Sequence, residues 1–131
     1  METSRLKTDS AHVTGLLRLR MIGCKLSIGD FGIGGTSLQR LLELPFTELK
    51  IPPAFASGMA GDERKCAVVA GAMSMAQHLG VGVVVTGIET PADRDAVRAL
   101  GPAWLQGCLI AHPMSAQALQ HWLAKSTAIA L

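Results

Sequence analysis

The chain has little of several features that would place it in a particular class of protein. It contains no tyrosine and only three phenylalanines, so we expect no aromatic platform that stacks on nucleic-acid bases. Cys24, Cys66 and Cys108 form no CxxC pair, which predicts a cytoplasmic protein with reduced, buried thiols and no disulfide scaffold. No apolar run approaches the roughly 18 residues that a membrane span needs.

Charge and targeting signals are also scarce. The formal net charge is +2 and 17% of the residues are charged, so neither a nucleic-acid polymer nor a membrane surface is an expected partner. The first residues lack the apolar centre of a signal peptide, and the four histidines lack zinc-ligand spacing. In contrast, 49% of the 131 residues are hydrophobic, which is enough for the core of a single domain.

The apolar pattern alternates between short strands and longer helices. We predict strands at residues 25–28, 48–51, 82–86 and 103–107, and helices at residues 10–23, 37–44, 62–79, 90–100 and 115–123. This alternation indicates right-handed crossovers and a parallel sheet. We therefore expect an α/β protein, a partial (β/α)-barrel of TIM type with about four parallel strands. The predicted domain covers residues 10–124, with tails at 1–9 and 125–131.

Polar residues stand where each predicted strand meets the loop after it. Asp30, Lys50, Glu89 and Gln106 follow four different strands, and the carboxyl ends of parallel strands lie on one side of a sheet. An aspartate and a glutamate can help to hold a divalent cation, and a lysine can bind a phosphate oxygen or a metal-bound water. The four side chains therefore form a candidate site.

The alternation of side chains predicts which face of the sheet stays open. Glu48 and Trp104 should share the face of Lys50 and Gln106, while Leu49, Ile51, Ala103 and Leu105 should point to the helices. Four strands do not close a barrel, so we expect two open edges and an uncovered inner face. We assign to that face Leu26, Ile28, Val84 and Trp104.

Three segments resemble the EAL domain family of cyclic di-GMP phosphodiesterases. LSIGDFGIGGTSLQRLLELPFTELKI is similar to the family's LSLDDFGTGYSSL…LP…LKID, VVVTGIET to VVAEGVET, and WLQGCLIAHP to VQGYLFSRP. The agreement in order and spacing extends over about residues 10–124. The resemblance implies a (β/α)₈-type barrel that hydrolyses one phosphodiester of cyclic di-GMP to linear pGpG with Mg²⁺ or Mn²⁺.

The resemblance also assigns roles to the four candidate residues. Asp30 matches a metal-ligand aspartate of DDFG, and Lys50 matches the lysine of LKID, which contacts the attacking water or the substrate phosphate. Glu89 matches the second glutamate of EGVE, which supports the catalytic site. Gln106 matches the glutamine of the QG motif, beside the bound substrate.

Several family positions are different in this chain. Gly29, Pro52 and Thr86 replace an aspartate of DDFG, the aspartate of LKID and a glutamate of EGVE, and the EAL motif itself is absent. We therefore expect Lys50 and Glu89 to be vestigial catalytic residues, Asp30 to hold a cation weakly at best, and the chain alone to need no cofactor.

This combination favours a degenerate, truncated EAL-like half-barrel that acts by protein–protein contact, as a homo-oligomer or with another signalling protein. Three alternatives remain. Another chain could complete an active phosphodiesterase that uses Mg²⁺ or Mn²⁺, Lys50 and Gln106 could bind cyclic di-GMP without hydrolysis, or the reading frame could be a remnant without a role.

Overall fold

A computed structural model describes residues 10–29, 42 and 44–126 of the chain. Within these residues the helices are α1 (Ser10–Met21), α2 (Pro53–Ala56), α3 (Glu63–Leu79), α4 (Pro91–Leu100) and α5 (Ala116–Ser126), with a 3₁₀ turn at Met59–Gly61. The strands are β1 (Ser27–Ile28), β2 (Glu48–Ile51), β3 (Gly82–Val85) and β4 (Trp104–Leu105). No helix in the described part of the chain is long and apolar enough to cross a membrane.

The four strands form one parallel sheet in the order β1-β2-β3-β4. Their register places Lys50 beside Val84 and Val84 beside Trp104. Leu49 lies between Ile28 and Val83 in the neighbouring row. The predicted α/β class, with four parallel strands alternating with helices, is confirmed.

The predicted helix boundaries are confirmed where a single residue with a strong local preference determines the end of the helix. The Asp62 carboxylate accepts hydrogen bonds from the backbone N–H groups of Arg64 (3.0 Å) and Lys65 (3.2 Å), so α3 begins at the next residue. Gly80 ends α3 with φ 71°, the left-handed conformation that glycine adopts without steric cost. Thr90 caps α4, and Pro91 occupies its first turn.

Other boundaries differ from the prediction. Strand β4 has two residues instead of five, and α5 continues to Ser126 instead of ending at residue 123. The short helix α2 after the second strand was not predicted. Most of the helix predicted at residues 37–44 lies outside the described residues.

The hydrophobic core lies between the sheet and the helices that cover its outer face. Leu49, Ile51 and Val85 are fully buried there. Helix α3 packs on them with Val69, Ala72, Met73 and Ala76, and further buried side chains come from Met59, Ile88 and Val97. Burying one such large aliphatic side chain stabilises a fold by about 1.5–3 kcal/mol, so this layer holds the strand ends in place.

The predicted face of the first strand is wrong. Ile28 stands beside Leu49 in the register and is 1% exposed, so it lies on the helix-covered face. Leu26 is fully buried. Ser27 occupies the inner face, where its hydroxyl donates a hydrogen bond to the Glu48 carboxylate. A shift of one residue in register exchanges the two faces of a strand, and the sequence alone did not determine that register.

Val84 and Trp104 lie on the inner face as predicted, but Val84 is only 9% exposed, so the face is not uncovered at that residue. Both stand in the row of Lys50, and Trp104 is 74% exposed.

The prediction of buried thiols is also wrong. Cys24 and Cys108 are exposed, because they lie in the turn after α1 and in the loop after β4. Cys66 is half-buried in α3, and its thiol donates a hydrogen bond to the Met59 carbonyl at 2.9 Å.

Candidate functional site

A pocket of about 340 Å³ opens at the carboxyl ends of β2, β3 and β4. It is lined by Lys50, Pro52, Pro53, Thr86, Gly87, Gln106 and Gly107. Lys50 lies on β2, and Gln106 directly follows β4. The structure therefore brings together two of the four predicted site residues. We call this cavity the mouth pocket.

Hydrogen bonds extend the sheet by one residue beyond the strands and so shape the mouth pocket. The Thr86 N–H donates to the Ile51 carbonyl at 2.9 Å, and the Gln106 N–H donates to the Val85 carbonyl at 2.9 Å. The Thr86 hydroxyl donates to the same Ile51 carbonyl at 2.7 Å. Because the hydroxyl proton of Thr86 is used in this hydrogen bond to the backbone, the side chain stabilises the wall of the pocket.

Two glycines allow the loops around the pocket to pack closely. Gly87 has φ 77°, and a Cβ atom at this position would lie 2.6 Å from the Pro53 Cβ. A Cβ atom at Gly107 would lie 2.5 Å from the Ile88 nitrogen and 2.7 Å from the Ile88 carbonyl carbon. Both contacts are shorter than side chains tolerate, so these walls are built from backbone.

Among the residues that the structure describes, the lining of the mouth pocket includes a positive residue and no acidic one. Lys50 is the charged lining residue, and among the described residues no carboxylate lines the pocket. Within residues 10–29, 42 and 44–126, no cluster of three or more His, Cys, Asp or Glu side chains could hold a metal ion. The ammonium group of Lys50 suits an anion such as a phosphate group.

Glu89, one of the two predicted acidic site residues, is not part of this pocket. Glu89 is exposed and is not among the lining residues, and Asp30 lies outside the described residues. The roles inferred for Asp30, Lys50, Glu89 and Gln106 remain predictions.

Comparison with known proteins identifies the family. The family model for the EAL domain matches residues 1–113. The chain belongs to the EAL domain family.

Relatives of this EAL domain include enzymes and sensors. It is 39% identical to the cyclic di-GMP phosphodiesterase RocR of Pseudomonas aeruginosa over 116 aligned residues. The alignment covers 88% of this chain and 30% of RocR. It is 30% identical to the oxygen sensor protein DosP of Escherichia coli over 123 aligned residues, and this alignment covers 94% of this chain and 15% of DosP. The chain thus spans less than a third of these relatives.

Solved EAL structures share the fold. The EAL domain of Mycobacterium smegmatis DcpA matches with a TM-score of 0.88 and 28% identity, over 95% of this chain and 56% of that one. The PaMucR phosphodiesterase in complex with c-di-GMP matches with a TM-score of 0.79 and 34% identity, over 91% of this chain and 49% of that one. The expected likeness to a TIM barrel is confirmed.

A second concave surface includes both residues of β4 in its lining. This surface, which we call the β4 groove, has a volume of about 890 Å³. It is lined by Val97, Arg98, Gly101, Pro102, Ala103, Trp104, Leu105, Ile110, Trp122 and Leu123. Ile110 is 37% exposed and Leu123 is 48% exposed. Within the described residues β4 pairs only with β3, so an apolar hollow adjoins the edge of the sheet.

The sequence reasoning missed Asp93, a charged side chain that is only 3% exposed. Burial raises the pKa of this carboxyl group, but hydrogen bonds from the backbone N–H groups of Ala60 and Gly58 outweigh that effect, with help from Thr90 and the charge of Lys65. The net result is a pKa below the ordinary value. A signal was present, because Thr90 and Asp93 have the spacing of a residue pair that caps a helix start.

Proposed function

We propose that this chain is a degenerate EAL-type domain that does not hydrolyse cyclic di-GMP and acts in cyclic di-GMP signalling by contact with another protein. Its relationship to the cyclic di-GMP phosphodiesterases is given by its family and relatives. The observation that carries the proposal is the mouth pocket, which lacks an acidic lining residue in the described part of the chain.

Hydrolysis of a phosphodiester with two metal ions needs carboxylates beside both ions, because the ions acidify the water and stabilise the reacting oxygens. Gly29, Pro52 and Thr86 replace acidic residues of the family motifs. Loss of one electrostatic group at an active site commonly costs about 10²–10³ in rate. Such losses are not additive, but the absence of three groups supports an inactive chain.

A second candidate function is a receptor that binds cyclic di-GMP without cutting it. Lys50 and Gln106 line the same pocket, and an ammonium group together with an amide can bind phosphate oxygens without a metal ion. A solved relative, the PaMucR phosphodiesterase, is a complex with c-di-GMP.

The β4 groove supports contact with another protein. Trp104 is 74% exposed and lies beside a hollow lined mainly by apolar side chains. Covering this side chain would contribute about 3–4 kcal/mol before the costs of association. We propose that a second protein chain, tested first as a second copy of this one, covers the groove. The exposed free thiols of Cys24 and Cys108 favour a reducing, cytoplasmic location.

A hydrolysis assay with a binding measurement tests the nucleotide part of the proposal. Purified chain is incubated with cyclic di-GMP and Mn²⁺, and pGpG is quantified beside Lys50→Ala. We expect no pGpG above the buffer control from either protein. Turnover that disappears in Lys50→Ala would overturn the proposal. Calorimetry with the same proteins separates the two candidates, because binding that needs Lys50 without turnover identifies a receptor.

Light scattering tests the contact part of the proposal. We expect an assembly larger than the monomer at micromolar concentration, and Trp104→Lys should reduce its mass because a charge then enters the contact. Met21→Lys is the matched control, since Met21 on α1 is 86% exposed and is not among the residues that line the groove. A folded monomer at all concentrations, or equal masses for the two variants, would contradict this part.

A further inference from the structure

We propose that Asp93 is a positioning residue that sets the shape of the mouth pocket by binding the loop after α2. The inference goes beyond the proposed function, because it concerns how the pocket is held open whatever ligand or partner it meets. It is also independent of hydrolysis, and its test does not require any.

The Asp93 carboxylate joins two segments that are distant in sequence. One oxygen accepts a hydrogen bond from the Gly58 N–H and the other from the Ala60 N–H, each at 2.9 Å. These amides belong to the loop between α2 and α3, whereas Asp93 lies in the first turn of α4. A single side chain therefore ties the segment after β2 to the segment after β3.

Further contacts hold both ends of this tie. The Asp93 N–H donates to the Thr90 hydroxyl at 3.2 Å, which fixes the carboxylate relative to the start of α4. On the loop side, the Lys65 ammonium donates to the Ser57 carbonyl at 2.7 Å. Because Asp93 is only 3% exposed, water does not compete for its oxygens, and hydrogen bonds to a charged group are about twice as strong as neutral ones.

The tied segments continue from two parts of the mouth-pocket lining that are in contact with each other. Pro52 and Pro53 precede the bound loop and are joined to it by α2, where the Ser57 N–H donates to the Pro53 carbonyl at 2.8 Å. Gly87 precedes Asp93 and packs so closely on Pro53 that a Cβ atom would overlap its ring. Release of Asp93 would free the loop, and the contact between Pro53 and Gly87 would lose its support.

Amide hydrogen exchange measured by NMR under native conditions tests this inference. Asp93→Asn keeps the size of the side chain but replaces one accepting oxygen with an NH₂ group that faces a backbone N–H. We expect the exchange of the Gly58 and Ala60 amides to accelerate about 10- to 100-fold. We also expect faster exchange at Thr86 and Ile88, whose N–H groups donate to Ile51 and Gln106 beside the pocket.

Asp95→Asn is the matched control, because Asp95 lies on the same helix and its carboxylate is exposed beside Arg94. We expect no change at Thr86 and Ile88 in this control. Val69, buried in α3, reports global unfolding. If Asp93→Asn does not fold, Lys65→Met weakens the loop side of the tie more gently and should produce the same pattern with smaller factors.

Two results would overturn the proposal. Equal acceleration of Val69, Thr86 and Ile88 would mean that Asp93 contributes only to overall stability. Acceleration at Gly58 and Ala60 with no change at Thr86 and Ile88 would mean that the tie does not reach the pocket. Neither result depends on whether the chain hydrolyses or binds a nucleotide, so failure of the proposed function is detected separately.

Discussion

Replacement of Gly87 by alanine should destabilise the protein through two separable costs. Gly87 has φ 77°, and an added Cβ would lie 2.6 Å from the Pro53 Cβ and 2.9 Å from its Cα and Cγ. Two other glycines allow the costs to be measured apart. Gly80 has φ 71° with nothing within 4 Å, and Gly71 of α3 has neither a positive φ nor a close neighbour.

The expected magnitudes follow from these surroundings. A left-handed backbone conformation costs an alanine about 1–2 kcal/mol, and forcing an extra methyl group into a packed site costs about 1–3 kcal/mol. Gly80→Ala should therefore lower the free energy of unfolding by about 1–2 kcal/mol, and Gly87→Ala by about 2–5 kcal/mol. Gly71→Ala should raise it by about 0.5–1 kcal/mol, because alanine favours a helix.

Urea unfolding followed by far-ultraviolet circular dichroism measures all three free energies on one scale. The predicted order of stability is Gly71→Ala above wild type, then Gly80→Ala, then Gly87→Ala. If Gly87→Ala were as stable as Gly80→Ala, Pro53 would not lie too close to Gly87 to admit a Cβ atom. The close packing assigned to the pocket wall would then be refuted.

Three further predictions concern the core, a buried charge and the thiols. Leu49 is 0% exposed, so Leu49→Ala should lower the free energy of unfolding by about 2–5 kcal/mol. Trp104 is 74% exposed, so Trp104→Ala should change it by about 0.5 kcal/mol or less in the monomer. Equal losses of both variants in urea titrations would contradict the faces assigned to these side chains. Because folding lowers the pKa of Asp93, its ionised carboxylate stabilises the folded state. This contribution is fully present at a pH above the unfolded pKa of about 3.9 and is lost as the pH falls through the folded pKa. Thermal unfolding between pH 7 and pH 2.5 should therefore show a weaker acid dependence for Asp93→Asn than for Asp95→Asn, and parallel curves would contradict this. Cys24 and Cys108 should react rapidly with a maleimide and Cys66 slowly, by mass spectrometry of the native protein; uniform rates would contradict the structure.

Elements that end at residues with strong local preferences could be predicted from the sequence. The bounds of α3 depend on an aspartate cap and a left-handed glycine, and the start of α4 depends on Thr90 followed by Pro91. The face of β1 could not be predicted, because it depends on which residue of β2 pairs with Ile28. That pairing is a long-range property that a short strand does not encode in its own pattern.

The candidate site was predictable to a similar extent. Lys50 and Gln106 were expected to converge because both stand at the carboxyl ends of parallel strands, and they line one pocket. The buried role of Asp93 was not foreseen, since its partners Gly58 and Ala60 lie far away in the chain. A helix-capping pattern places such a residue in the first turn of a helix, but it does not show which distant amides the side chain will bind.

The most direct test of the central claim is a single-turnover assay with the chain in large excess over labelled cyclic di-GMP. Mn²⁺ is present, and the PaMucR phosphodiesterase serves as the positive control. An EAL domain whose mouth pocket has no acidic lining residue in the described part of the chain should leave the label as intact cyclic di-GMP while the control converts it. Formation of pGpG by the wild-type chain, and its loss in Lys50→Ala, would contradict the account.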